Sequence, residues 1–285
     1  MDKKYVDLYE KYSDGHFNRR EFLKRLSVLA GSTAAAVTLL PLLQKNFVYA
    51  QVVSAEDPRL VVEDVTYPAS TGPMKAHFAR PKEDKKFPGV IVIHENRGLN
   101  PHTEDVARRV AMEGFLAVAP DALSPLGGTP EDVDEARALM GKLDGTATIK
   151  NFVAAVQYLK THPQSTGKVA CMGFCWGGRM TNQVAVNAPD LTAAVPFYGS
   201  QPAAEDVPKI KASLLCHYGG SDARINAGIE AFEAELKKNS IDYKMFVYEG
   251  AGHAFFNDTG TRYHKEASAL AWDRTIKFFN AKLKT

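Results

Sequence analysis

The sequence predicts an α/β fold, a mainly parallel central sheet with helices on both faces. Strand-like apolar runs alternate with helix-period segments along most of the chain, the order produced by parallel strands joined through crossover helices. Many of these runs are continuously apolar rather than alternating, as strands buried on both faces require. About 235 residues follow the first fifty, enough for one such domain and its core.

Each element follows from its local pattern. Segments 61–67 and 74–80 are expected as an antiparallel edge. Then come a strand at 90–94, a helix at 103–113, a strand at 115–119, helices at 131–142 and 149–161, and a strand at 169–173. The alternation resumes with strands at 193–198 and 214–218, a helix at 227–238, a strand at 244–248 and a final helix over 262–282. No internal repeat or low-complexity tract is visible.

The run Gly173-Phe174-Cys175-Trp176-Gly177-Gly178 stands between a strand-like segment, 168–172, and a helical one, 179–186. A sharp turn between strand and helix holds its central residue in a strained conformation, and small neighbours let the two elements approach closely. This is the pattern of a nucleophile elbow with cysteine in the central position. Cys171 and Cys216 lack that context and read as small buried hydrophobes within strands.

A thiol in such a turn needs a base and an acid that orients the base. Asp222 follows the strand-like run 212–216 within His217-Tyr218-Gly219-Gly220-Ser221-Asp222. His253 follows the run 243–248 within Gly250-Ala251-Gly252-His253. The order nucleophile, acid, histidine is that of α/β-hydrolases, whose triad members occupy loops beyond strands. Considered singly, Asp222 could be turn chemistry and His253 a loop cap. The shared order favours the catalytic reading.

The apolar strand before His94-Glu95-Asn96-Arg97-Gly98-Leu99-Asn100 ends in a glycine-containing loop that leads into a helix. In this fold such a loop supplies one backbone N–H of an oxyanion hole, and the residue after the nucleophile supplies the other. Asn96 and Trp176 are the expected donors. His94 reads as a satisfied structural histidine.

Taken with Ala119-Pro120-Asp121 and His253-Ala254-Phe255-Phe256-Asn257, these passages resemble the dienelactone hydrolase family, from about residue 60 to the end. The resemblance implies an α/β-hydrolase fold and a Cys175, Asp222, His253 triad that cleaves esters or lactones through an acyl-thioester. It also implies that Glu95 is the active-site glutamate that helps to generate the thiolate; the simpler reading of Glu95 is a loop carboxylate paired with Arg97 or another cation. Well-known members hold a substrate carboxylate with two arginines, one after Ala-Pro-Asp and one soon after the histidine. Neither stretch contains arginine here. Arg97, Arg179, Arg224 and Arg262 are candidate replacements, although each such residue is more often a solvated or helix-pairing charge. Neutral or aromatic esters, contacted by Phe255, Phe256 and Trp176, are therefore expected substrates, as for a broad carboxylesterase.

Other chemistries find little support. A redox thiol protein would normally carry a resolving cysteine and would gain nothing from an Asp222–His253 pair. A non-catalytic binding protein would not need the intact triad. The glycine pairs at 127–128 and 219–220 lack the lysine of a phosphate loop, and the cysteines and His94-Glu95 lack metal-ligand spacing. No cofactor or metal is expected. The loop 124–130 reads equally as a lid or an ordinary connection.

The first fifty residues form a separate leader, with one domain expected over 51–285. Asn18-Arg19-Arg20-Glu21-Phe22-Leu23-Lys24 resembles the twin-arginine export motif, with Asn before the arginine pair. An apolar stretch over 26–43 follows, and Val48-Tyr49-Ala50 offers a cleavage site before Gln51. A periplasmic or extracellular enzyme is expected, served by the export machinery; an uncleaved leader would instead anchor it in the membrane. The leader holds eight of the 35 Lys/Arg and five of the 33 Asp/Glu, leaving 27 and 28 for the domain. That balance offers no basic footprint for nucleic acid. Three cysteines are an odd number for an oxidising compartment, and a catalytic thiol accounts for one unpaired; the strand expected between Cys171 and Cys216 argues against a bridge joining them.

Overall fold

The computed structural model describes residues 3–13, 17–45 and 51–284. Its centre is an eight-stranded sheet in the order β1-β2-β4-β3-β5-β6-β7-β8. The strands are β1 (Leu60–Ala69), β2 (Gly72–Pro81), β3 (Phe87–Ile93), β4 (Leu116–Pro120), β5 (Ser165–Phe174), β6 (Ala193–Phe197), β7 (Ser213–Gly219) and β8 (Tyr243–Tyr248). β1 and β2 form an antiparallel hairpin, and β2 runs antiparallel to β4. All remaining pairings are parallel. The sheet therefore has the expected mainly parallel α/β form with an antiparallel edge.

Burial explains this order. Every residue of β3 is buried, and successive side chains serve opposite faces of the sheet. Ile91 and Ile93 join a core with Phe152, Val156 and Met180, whereas Val90 and Val92 join one with Val106, Phe115 and Phe279. Helices α6 (Gly145–Thr161), α7 (Trp176–Asn187) and α9 (Ile229–Lys238) contribute to the first core. Helices α4 (Pro101–Met112) and α10 (Lys265–Leu283) contribute to the second.

The helix starts are capped by side chains of the expected kinds. Asn100 accepts from the Thr103 N–H at 3.0 Å ahead of Pro101, and Asp144 accepts from Ala147 at 2.7 Å. The helix expected over 227–238 begins only at Ile229. A separate short turn, α8 (Ala223–Asn226), precedes it. The final helix starts at Lys265 because His264 is its cap.

The N-terminal segment folds into α1 (Lys3–Ser13), α2 (Arg19–Ala30) and α3 (Thr33–Lys45) around Tyr9, Tyr12, Phe22, Leu26 and Leu43. Asn18 caps α2 by accepting from the Glu21 N–H. Gly31, with φ 80°, breaks the apolar stretch, and the two helices meet at 111°. Among the described residues no single helix is long and apolar enough to cross a membrane, though this bent pair has the length and composition of a broken span. The expected cleavage site at Val48-Tyr49-Ala50 lies outside the described residues. This N-terminal segment rests against α5 (Val133–Met140): Arg19 pairs with Asp134 at 2.5 Å, and Arg137 lies 4.6 Å over the Tyr12 ring.

Candidate active site

Cys175 sits between β5 and α7 with φ 55° and ψ −112°. Such a conformation costs a residue with a side chain about 1–3 kcal/mol and persists only where its surroundings enforce it. Its N–H donates to Phe197 O at 3.0 Å, and its carbonyl accepts from Arg179 N at 3.1 Å. The glycines around it leave no room for a Cβ. One on Gly173 would stand 2.4 Å from Gly177 O, one on Gly177 2.4 Å from His94 O, and one on Gly178 2.4 Å from Phe197 O. Strand, helix and neighbouring strands thus meet backbone to backbone at the elbow.

Two loops bring the imidazole and the carboxylate to this turn. His253 Nε2 lies 3.0 Å from Cys175 Sγ, and His253 Nδ1 lies 2.5 Å from Asp222 Oδ2. The other Asp222 oxygen caps α8, accepting from Ile225 N at 3.4 Å, so the carboxylate is held from two sides. Burial opposes ionisation of Asp222, but its hydrogen bond to His253 and the charge of that ring hold it below the usual carboxyl range. Burial likewise opposes a charged His253. The negative charge available on Cys175 and the Asp222 hydrogen bond outweigh it and push the imidazole up to about 10. A chain of this form can move the Sγ proton to the ring and hold the resulting cation.

Glu95 and Asn96 follow His94 in the loop after β3. Glu95 Oε2 accepts from Asn257 Nδ2 at 2.9 Å, while the buried Oε1 has no hydrogen-bond partner among the described residues. The Tyr198 hydroxyl is likewise buried, with the Glu95 carboxylate beside it, and its ring meets His253 edge-on at 5.1 Å. Burial, then the negative charges of Glu95 and Cys175, keep that phenol protonated far above its ordinary range. Asn96 and Trp176 line a cavity of about 490 Å³, bounded by Arg137 and Met140 of α5 and by Tyr12 and Arg19 of the N-terminal segment. Among the described residues no group of three His, Cys, Asp or Glu side chains is placed to hold a metal ion.

Residues 74–283 match the family model described as the dienelactone hydrolase family. The chain belongs to that family. It is accordingly an enzyme that hydrolyses ester or lactone bonds on an α/β-hydrolase fold. A carboxymethylenebutenolidase-type protein of Saccharolobus solfataricus is 31% identical over 254 residues, spanning 76% of this chain and 97% of that relative. One of Escherichia coli K12 is 31% identical over 244 residues, spanning 80% and 90%. The crystal structure of a dienelactone hydrolase-type protein from Klebsiella pneumoniae superposes with a TM-score of 0.70 at 28% identity, covering 77% of this chain and 98% of that one.

Within this dienelactone hydrolase fold, two expected pocket residues lie elsewhere. Phe255 is fully buried and Phe256 nearly so, both packed in the core around Phe197. Phe256 stacks on Phe174 at 5.1 Å and borders a different cavity, with Trp272 and Arg109. Ala254, immediately after His253, has a positive φ of 62°. Neither phenylalanine lines the cavity shared by Asn96 and Trp176.

The other expectations divide by their surroundings. Arg179 and Arg224 are exposed. The charge of Arg262 reaches Tyr198, and that of Arg224 reaches Asp222. Loop 124–130 is tied down rather than free, because Asp121 accepts from Leu123 N, Thr129 N and the Thr129 hydroxyl, which itself accepts from Leu99 N. Cys171 and Cys216 are free thiols on strands separated by β6, and burial pushes both up to about 12. Sequence reading missed Tyr198, Asn257 and Arg137. Tyr198 had one usable signal, its place at the carboxyl end of a parallel strand beside the elbow strand, where open α/β sheets bind ligands.

Proposed function

We propose that Cys175, His253 and Asp222 act as a triad that hydrolyses neutral or aromatic esters and lactones through an acyl-thioester. The observation that carries this reading is the continuous contact from Cys175 Sγ through both ring nitrogens of His253 to Asp222. His253 takes the Sγ proton, and the thiolate attacks the substrate carbonyl. The N–H groups of Asn96 and Trp176 receive the developing oxyanion, a contribution of about 3–4 kcal/mol for each donor. His253 returns its proton to the leaving alcohol. It then takes one from water, which attacks the thioester and releases the acid and the thiol.

Glu95, tethered by Asn257, assists by accepting the thiol proton, since a fixed negative charge beside Sγ would oppose the thiolate. An asparagine partner, in a stretch that carries no arginine, supports a substrate without an obligatory carboxylate. The leader supports export by the twin-arginine route to the periplasm or beyond, with residues 51–285 as the working domain.

The test is a panel of charged and neutral chromogenic esters and lactones, assayed on the protein without its leader and on Cys175→Ala. The variant should lose at least about a thousandfold in kcat/KM. Full activity of the variant would remove the triad reading, and a strict requirement for a substrate carboxylate would remove the substrate reading.

A further inference from the structure

His94 is a fully buried histidine to which the triad gives no part. It follows the last residue of β3 and makes three contacts. Its Nε2 faces the N–H of Ala122 at 3.1 Å, its Nδ1 lies 2.6 Å from the carbonyl oxygen of Glu95, and its ring stacks on Trp176 at 5.4 Å between centroids and 8° between planes.

These contacts fix its protonation. A backbone N–H can only donate, so Nε2 is bare and accepts from Ala122. The ring proton is therefore on Nδ1, which donates to Glu95 O. Burial disfavours the charged ring and keeps it in this neutral form, against the opposing pull of the Glu95 carbonyl and nearby carboxylates.

The bond to Glu95 O acts on the next atom group along the chain. A peptide unit is planar and trans, so the C=O of Glu95 and the N–H of Asn96 point in opposite directions from one rigid plane. Anchoring the oxygen sets the direction of the N–H. The same imidazole braces the indole of Trp176, the residue whose backbone supplies the second donor. The carbonyl of His94 itself lies where a Cβ on Gly177 would stand, so strand end and helix start are fixed to one another.

We infer that His94 is a positioning residue for carbonyl chemistry: through its Nδ1–H on the Glu95 carbonyl and its stack on Trp176, it aims the Asn96 and Trp176 N–H groups at the substrate oxyanion. This rests on the assignment of those two N–H groups as the oxyanion donors. It predicts that loss of the Nδ1 donor impairs steps in which a carbonyl oxygen gains charge and spares other reactions of the thiol.

The experiment compares His94→Asn, His94→Gln and His94→Ala in two assays. One is steady-state ester hydrolysis; the other is alkylation of Cys175 by iodoacetamide, a displacement at saturated carbon that needs no oxyanion hole. The Asn side-chain amide can occupy the Nδ1 place, whereas that of Gln reaches only toward Nε2. The Gln and Ala variants should lose about 10²–10³ in kcat, with KM and alkylation rate within about threefold of wild type, an allowance for small shifts of the thiol. The Asn variant should recover most of that loss. Wild-type kcat in His94→Gln would overturn the inference, as would parallel loss of hydrolysis and alkylation in all three variants. Failure of the triad reading appears separately, as activity surviving in Cys175→Ala.

Discussion

Asn257 donates its side-chain amide to Glu95 across 2.9 Å, joining the turn after His253 to the loop after β3. The carbonyl oxygen of the same amide accepts from the N–H and hydroxyl of Thr259, so one residue shapes the turn with one end and holds the carboxylate with the other.

Replacing Asn257 with aspartate separates these two duties. Asn257→Asp keeps the acceptor for Thr259 and sets a second carboxylate against Glu95. At neutral pH it should cost about 1–3 kcal/mol, from the lost donor and the like charges. Because protonation of either acid relieves the repulsion, the cost should shrink on acidification. Thermal melts of both proteins at neutral and mildly acidic pH measure it; an unchanged melting temperature would contradict it.

The Asp222–His253 contact predicts a defined acid limb. The folded state holds the Asp222 carboxyl below its ordinary 3.8, so it binds protons less readily there than in the unfolded chain. The resulting stability is present above 3.8 and is lost as pH falls through the depressed folded value. Urea unfolding of wild type and Asp222→Asn should therefore show a stability gap at about pH 6 that narrows by about pH 3. A gap independent of pH would mean that the carboxylate contributes nothing through its charge.

The crowding at the elbow gives a prediction about folding rather than chemistry. A methyl group on Gly178 would meet the backbone oxygen of Phe197 at 2.4 Å, and neither backbone can move without breaking the contact between β6 and the elbow. Gly178→Ala should destabilise the protein by about 3 kcal/mol or more. Gly127→Ala makes a useful contrast. Its new methyl would meet open space, although φ of 105° makes the backbone itself unfavourable, so its loss should be the smaller of the two. Denaturant midpoints for the pair decide the matter.

Much of this architecture is visible in the sequence because burial on two faces leaves a strong mark. The apolar run at β3 and the glycine spacing around Cys175 each admit few alternatives. Phe255 and Phe256 mislead for the opposite reason: an aromatic side chain suits a core as well as a pocket wall, and here both are buried in the core. The helix expected over 227–238 starts late because Asp222 caps a short turn of its own before Gly228. Asn257 could not be found by local pattern, since its partner lies 162 residues away. Arg137 was hidden similarly, on a helix whose amphipathic spacing looks like that of any surface helix.

The glycine contacts invert the usual relation between importance and replaceability. Sγ of Cys175 is the proposed reacting atom, yet it projects from a turn whose shape is set by residues without side chains, so an oxygen or a selenium could stand in its place on the same backbone. The glycines at 173, 177 and 178 take no part in bond making, and their replacement would close the space in which the elbow forms. An engineer seeking new chemistry on this scaffold should vary the nucleophile and leave the empty positions empty.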